Sequence, residues 1–248
     1  MEVHQHTHTP RKKWTHYFWE FFMLFLAVTA GFLVENQREH YIEHKREKQF
    51  IISLVNDIKA DTARINRIIV ARTERDRKLD TLTALMNSAN PVLHTNDIYF
   101  HAVSVARTLT IRFVPNDGTM QQLKNSGAFR LIRDREVADS IAKYDVTVRT
   151  LLRQGELEET LIHDYRQAAA KIFNALVFYR MMDEDNVVNR VLQDNPPLLS
   201  HDKADLSTWN YKLYSMKALN TAIRRDARLF LRQAANLLST LKEEYHLK

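Results

Sequence analysis

Residues Trp14 to Val34 read WTHYFWEFFMLFLAVTAGFLV, and this stretch decides the architecture because it is long and apolar enough to cross a lipid bilayer. The seventeen residues from Phe18 to Val34 make about 26 Å of helix, against a hydrocarbon core of about 30 Å. Ten of them are Leu, Phe or Val, which outweighs the cost of Glu20 near one end. Tyr17 and Trp19, with Trp14, supply an interfacial aromatic belt. We expect residues 14–34 to be a transmembrane anchor.

Two other interpretations of this segment stay open. The basic residues 11–13 before an apolar run, with Val28-Thr29-Ala30 as a cleavage site, are also typical of a signal peptide. The apolar run continues past Ala30 without a break, however, which favours an uncleaved anchor. A core helix of a soluble protein is the other alternative, although such a helix normally carries its apolar residues on one stripe.

The flanks of the segment predict its orientation. Residues 1–13 form a short polar and basic tail in which Arg11, Lys12 and Lys13 adjoin the span, whereas the basic residues after it alternate with glutamates. We therefore predict a single-pass membrane protein with a cytoplasmic N-terminus and an extracytoplasmic bulk. The expected partners are the lipid bilayer and either a second copy or an envelope protein.

The composition of residues 35–248 predicts one helical extramembrane domain. The whole chain has four Gly, five Pro and no Cys, which excludes disulfide scaffolds, thiolate metal sites and cysteine nucleophiles. The net charge is +6, but the basic residues are spread among thirty acidic ones, so we expect no nucleic-acid partner. We also expect no cofactor, metal or catalytic residue, and hence no enzyme.

Hydrophobic periodicity predicts an all-α fold, namely the transmembrane helix followed by an antiparallel helical bundle with a long membrane-proximal helix. No Gly or Pro occurs between residues 35 and 86, and apolar residues recur there at helical spacing. Arg72 and Asp76 then fall on the same face, which predicts a different kind of packing beyond Ile69. The members of this stripe are Ile51, Leu54, Val55, Ile58, Ile65, Ile68 and Ile69.

Further helices follow from the same pattern and from capping residues. We predict helices over residues 96–113, 119–125, 134–182 and 207–245, the first with a strand as the alternative. Gly127 is expected to end one helix in the left-handed conformation, and Asp134 and Ser207 are expected to cap the next two. Gly155 is a candidate bend. Residues 183–205 should be irregular, with one short helix over 187–192.

Residues 120–145 form a recognisable motif, MQQLKNSGAFRLIRDREVADSIAKYD. Together with the anchor, it resembles an uncharacterised family of bacterial single-span membrane proteins with helical extramembrane regions, a domain of unknown function. The resemblance covers the anchor and about 25 residues. It implies a location in the bacterial inner membrane, and it implies no activity or cofactor. The matching positions are Leu123, Ser126, Gly127, Leu131, Ile132, Asp134, Ile141 and Tyr144.

Two histidine clusters have metal-binding spacing. His40 and His44 lie one turn apart on a helix with Glu43 between them, as in inverted zincin-type peptidases. Catalytic zinc also needs a third ligand and an enclosed cleft, so a solvated helix is the simpler interpretation. His4, His6 and His8 form a second cluster in the tail, where polar low complexity is the alternative.

The architecture leads us to expect a membrane-anchored helical interaction or scaffold protein of the cell envelope, non-catalytic and self-associating. The stripe from Ile51 to Ile69 would then contact a partner, unless it packs inside its own domain, and both outcomes are open. A ligand-sensing bundle that acts through a partner is the alternative. A zinc-dependent hydrolase using His40, Glu43 and His44 is a remote alternative.

Overall fold

The computed structural model describes residues 14–108, 111–185, 187–188 and 192–247. These residues fold into helices, and the described part of the chain contains no strand. The chain divides into two compact units, the first ending at Gln49 and the second beginning at Phe50.

The first unit consists of the N-terminal part of helix α1, which spans Trp14–Met86. It contains the predicted anchor, and among the described residues α1 is the one helix long and apolar enough to cross a membrane. No residue in the most apolar 18-residue window of α1 is buried, whereas the core helix of a soluble protein is mostly buried. The helix is therefore compatible with an anchor, and the signal peptide and the helix of a soluble protein stay open alternatives.

The second unit contains the rest of α1 and five further α-helices. Short 3₁₀ turns at Pro91–His94 and Ala128–Leu131 lie between them. The further helices are α2 Thr95–Arg107, α3 Gly118–Asn125, α4 Arg135–Ile172, α5 Ala175–Arg180 and α6 Lys203–Tyr245. The two long helices, α4 and α6, pack against each other.

Two apolar clusters form the core of the second unit. The first apolar cluster joins α1 residues between Ile51 and Ile68 to α3, the N-terminal half of α4 and the C-terminal half of α6. The second apolar cluster joins Leu79, Leu82 and Met86 of α1 to α2, α5, the C-terminal half of α4 and the N-terminal half of α6. Each cluster therefore ties the same three long helices together at a different level.

The stripe that begins at Ile51 packs inside its own domain. Ile51 and Ile58 are fully buried in the first apolar cluster, and only Ile69 at the end of the stripe is partly exposed. This resolves the alternative left open by the sequence, because a stripe that is already covered cannot also be a free surface for a partner.

Several local predictions are confirmed. α1 ends at Met86, α6 ends at Tyr245, and α3 is followed by Gly127 with φ of +69°. The Asp134 side chain accepts a hydrogen bond from the Val137 backbone N–H at 2.7 Å and so caps α4. Gly155 lies inside α4 without ending it.

Other helix boundaries differ from the predictions. α2 ends at Arg107 rather than near residue 113, and residues 111–117 are not helical. α4 ends at Ile172 rather than at Met182, because Phe173 is extended and Asn174 caps a separate helix α5. On α4, Leu152 is more than a third exposed, whereas its neighbour Leu151 is buried.

The last connection ends at Asp202 rather than at residue 205. Asp202, not Ser207, caps α6 by accepting hydrogen bonds from the backbone N–H groups of Ala204 and Asp205. The short helix expected over 187–192 is absent at residues 187, 188 and 192, and residues 189–191 lie outside the described part of the chain.

Replacing Ile58 by Asp tests the burial of the α1 stripe. A carboxylate in this position has no partner in the first apolar cluster, so we expect the free energy of unfolding to fall by at least about 3 kcal/mol. Ile52→Asp is the matched control, because Ile52 is 43% exposed on the same helix. Urea unfolding followed by circular dichroism measures both. A loss below about 0.5 kcal/mol for Ile58→Asp would show that the stripe is exposed.

Candidate functional site

A layer of buried charged and polar side chains separates the two apolar clusters. We call it the buried ionic layer, and it connects α1 to α4 and α6. Its members are Arg72, Arg75 and Asp76 of α1, Glu158 of α4 and Asn220 of α6, each at most 8% exposed. Charged groups at this depth are stable only when paired and hydrogen-bonded, so their contacts decide what the layer can do.

Glu158 is the centre of the layer. Its two carboxylate oxygens accept one hydrogen bond each from the two terminal nitrogens of Arg72, both at 2.7 Å. The Arg75 guanidinium donates to the same carboxylate. A bidentate arginine contact fixes the orientation of both partners, so Glu158 holds α4 in one register against α1.

Asn220 joins α6 to the same group. Its side-chain oxygen accepts from Arg72 at 3.0 Å, while its amide nitrogen donates to the Arg72 backbone carbonyl and to the Asp76 carboxylate. Arg224 of α6 forms an ion pair with Asp76 at 2.5 Å. α6 is therefore held to α1 by polar contacts at two successive turns.

The two arginines also hold the segment that follows α2. Arg72 donates to the Ile111 backbone carbonyl at 3.0 Å, and Arg75 donates to the Thr108 carbonyl. These carbonyls lie just past the C-terminal end of α2, where a continued helix would have used them internally. The arginines thus give a physical reason for the early end of α2.

The electrostatics of the layer favour the ionised form of Glu158. Burial opposes the charge on Glu158, but the hydrogen bonds and positive charges of Arg72 and Arg75 outweigh it and lower the pKa of this carboxyl. Burial lowers the pKa of Arg75, and the neighbouring charge of Arg72 acts in the same direction. Glu158 is therefore the counter-ion on which two buried cations depend.

Most of this layer was missed from the sequence, although a signal was present. Arg72 and Asp76 were recognised as interrupting the α1 stripe, but their partners were not. On α6, Asn220 takes the position between Met216 and Ile223 in the apolar stripe, and on α4 Glu158 lies between Leu151 and Ile162. Polar interruptions at the same level of three stripes indicate a shared buried contact.

The motif between Met120 and Tyr144 has a structural role. Leu123, Ile132, Ile141 and Tyr144 belong to the first apolar cluster, and Gly127 has the left-handed conformation that ends α3. The Tyr144 hydroxyl donates to the Asp61 carboxylate at 3.1 Å. Burial raises the pKa of Asp61, although this bond and one from the Asn116 backbone N–H oppose the rise.

The histidines singled out in the sequence do not converge on a metal site. His40 lies 3.9 Å from Glu43, while His44 lies 3.2 Å from Glu47, so the two imidazoles face different carboxylates. Nowhere in the described ranges do three His, Asp or Glu side chains come together as metal ligands. His4, His6 and His8 lie outside those ranges, and their metal binding stays a prediction.

No family model matches the chain, and no curated protein and no solved structure matches it. The resemblance of the anchor and of residues 120–145 to a family of single-span proteins is therefore still a prediction.

Glu158→Gln tests the role of the buried ionic layer. Loss of the carboxylate leaves Arg72 and Arg75 without their counter-ion, and we expect a loss of about 3–5 kcal/mol in the free energy of unfolding. As the pH falls through the lowered pKa of Glu158, the wild type also loses the stabilisation that the ionised carboxylate gives. The difference in the free energy of unfolding between wild type and variant should therefore shrink.

Glu159→Gln is the matched control for this substitution. Glu159 adjoins Glu158 but is 52% exposed and pairs with Arg112 at the surface, so its loss should cost less than about 1 kcal/mol. Denaturant unfolding at neutral pH compares the two variants. Equal costs would contradict the assignment of Glu158 as the central counter-ion.

Proposed function

We propose that the protein is a membrane-anchored helical interaction or scaffold protein of the bacterial cell envelope, non-catalytic and self-associating. The observation that carries this proposal is the apolar segment of α1. No residue in its most apolar 18-residue window is buried. Large side chains such as Phe21 and Leu24 are each about two-thirds exposed, and lipid is the environment in which such a surface is stable.

The start of the anchor supports an interfacial position. The ring of Trp14 stacks on Phe18, and Phe18 stacks on Phe22, with ring centroids 6.3 and 6.2 Å apart. His16 lies 3.0 Å from the Glu20 carboxylate, which gives that charge a local partner one turn nearer the headgroups. An aromatic belt with one partnered carboxylate is typical of the end of a membrane span.

The second unit would serve as the interaction domain. We infer a helical bundle in which α6 runs antiparallel to α1 and α4, since Asp80 pairs with Lys217 while Asp76 pairs with Arg224. We infer that α4 instead runs parallel to α1, because residue numbers rise together in their pairs. Tyr144 is bonded to Asp61, and Glu158 is bonded to Arg72. Only part of the bundle is then antiparallel.

Self-association is proposed through the anchor, because the Ile51–Ile69 stripe is already covered. Ala27 and Gly31 are four residues apart on one helical face, and no side-chain or backbone atom lies near the position of a Cβ on Gly31. Small residues at this spacing allow two helices to approach closely in lipid. Ligand sensing through a partner is the second candidate, favoured by an internal cavity beside Arg72.

Single-cysteine labelling tests the anchor and its orientation, and the absence of native cysteine makes each introduced thiol unique. Leu26→Cys should react with a membrane-impermeant maleimide only after detergent is added. Ile52→Cys should react from outside intact spheroplasts, and Thr7→Cys only in inverted vesicles. Labelling of Leu26→Cys without detergent, as fast as that of Ile52→Cys, would contradict a membrane-embedded segment.

Oxidative crosslinking of two further single-cysteine variants tests self-association. Gly31→Cys should give a disulfide-linked dimer in native membranes. Phe25→Cys, about 160° around the helix from Ala27, is the matched control and should stay monomeric. Absence of a dimer for Gly31→Cys, or equal dimer from both variants, would contradict association through this face.

A further inference from the structure

A small internal cavity lies against the buried ionic layer. Its volume is about 50 Å³, and apolar side chains form most of its wall, with Arg72 and Arg112 as the charged exceptions. The wall residues that matter here are Ile65, Ile68, Arg72, Arg112, Leu151 and Gly155. Because Leu152 and Arg112 on the wall are partly exposed, this side of the cavity faces solvent.

The charges beside this cavity do not balance. Arg72, Arg75 and Arg224 contribute three positive charges, while Glu158 and Asp76 contribute two negative ones. Nearby, Arg112 and Glu159 pair with each other and cancel. An excess positive charge in a desolvated layer is costly, so an anion near it would be stabilised.

Hydrogen-bond donors are in excess as well. Arg72 is 2% exposed, and its buried Nε–H has no acceptor within the ranges that the structure describes. The same holds for the Nε–H groups of Arg75 and Arg224. An unsatisfied buried donor costs free energy, and an acceptor on a bound anion would recover it.

We propose that this cavity binds a small monocarboxylate of one or two carbons, formate or acetate. The carboxylate would lie toward Arg72 and Arg112, and the methyl group of acetate would contact Ile68 and Leu151. A water-sized group needs at least about 10–15 Å³, so a space of about 50 Å³ limits the ligand to about four heavy atoms. Gly155 lies on the wall and contributes no side chain that would fill this space.

Two other cavities of the second unit have different charges. The cavity of about 70 Å³ beside Tyr144 is lined by Asp61, Asp117 and Asp145 against two cations, which disfavours an anion. The groove of about 190 Å³ between α4 and α6 has Lys212 paired with Asp164 and Lys171 paired with Asp205, so its charges cancel. Of these three cavities, the one beside Arg72 has an excess of positive charge.

Thermal unfolding of the full-length protein in detergent micelles tests the proposal, with sodium acetate as the probe. A ligand that binds only the folded state raises the unfolding midpoint in a saturable way, so we expect a shift of several degrees. Sodium chloride at the same ionic strength and uncharged acetamide are the two controls, and neither should reproduce the shift. Equal shifts with acetate and chloride, or with acetate and acetamide, would overturn the proposal.

Two variants locate the site. Gly155→Leu adds a large side chain at the cavity wall and should abolish the acetate shift. Arg112→Gln removes an exposed cation from the wall and should raise the half-saturating acetate concentration at least tenfold without disturbing the core. Glu244→Gln, on α6 away from the cavity wall, is the control and should keep the full response. An unchanged acetate response in both cavity variants would overturn the assignment.

Discussion

The contact of Glu158 with Arg72 and Arg75 is the constraint on which the domain depends. One carboxylate from α4 serves two guanidinium groups from α1, at a level where none of the three side chains reaches water freely. The apolar clusters above and below tolerate many exchanges of similar volume, because hydrophobic packing is not directional. The buried ionic layer is directional, and it therefore sets which turn of α4 and α6 faces which turn of α1.

α1 combines two environments in one continuous helix. Its first part exposes apolar side chains on every face, while from Ile51 onward its apolar residues lie on the side that the domain covers. The first pattern is typical of a helix in lipid and the second of a helix in a water-soluble core. A membrane-anchored domain is the proposal that accounts for both patterns in one helix.

Local sequence signals predicted those elements whose cause is local. Asp134 caps α4 and Gly127 ends α3 because capping and left-handed geometry depend on the residue itself. The stripes on α1 and α6 were also predictable, since burial on one face imposes helical spacing. The long apolar helix near the N-terminus was predictable from composition alone.

The boundaries that were predicted wrongly have distant causes. α4 stops at Ile172 because Phe173 packs against the rings of Trp209 and Tyr99. The Tyr99 hydroxyl also accepts a hydrogen bond from the Asn174 backbone N–H and donates one to the Pro197 carbonyl. α2 stops where Arg72 and Arg75 donate hydrogen bonds to the backbone carbonyls of Ile111 and Thr108, which follow the helix. The pairing of Glu158 with α1 was likewise hidden, since it joins residues 86 positions apart.

The central claim is that the buried ionic layer couples α1 to α4, and a double-mutant cycle with Arg72→Met and Glu158→Met tests it most directly. Each single substitution leaves a buried charge with fewer partners, whereas the double substitution removes both members of the pair. The account predicts that the double variant is more stable than the sum of the single losses by about 1–3 kcal/mol in denaturant unfolding. Additive losses, within about 0.5 kcal/mol, would contradict it.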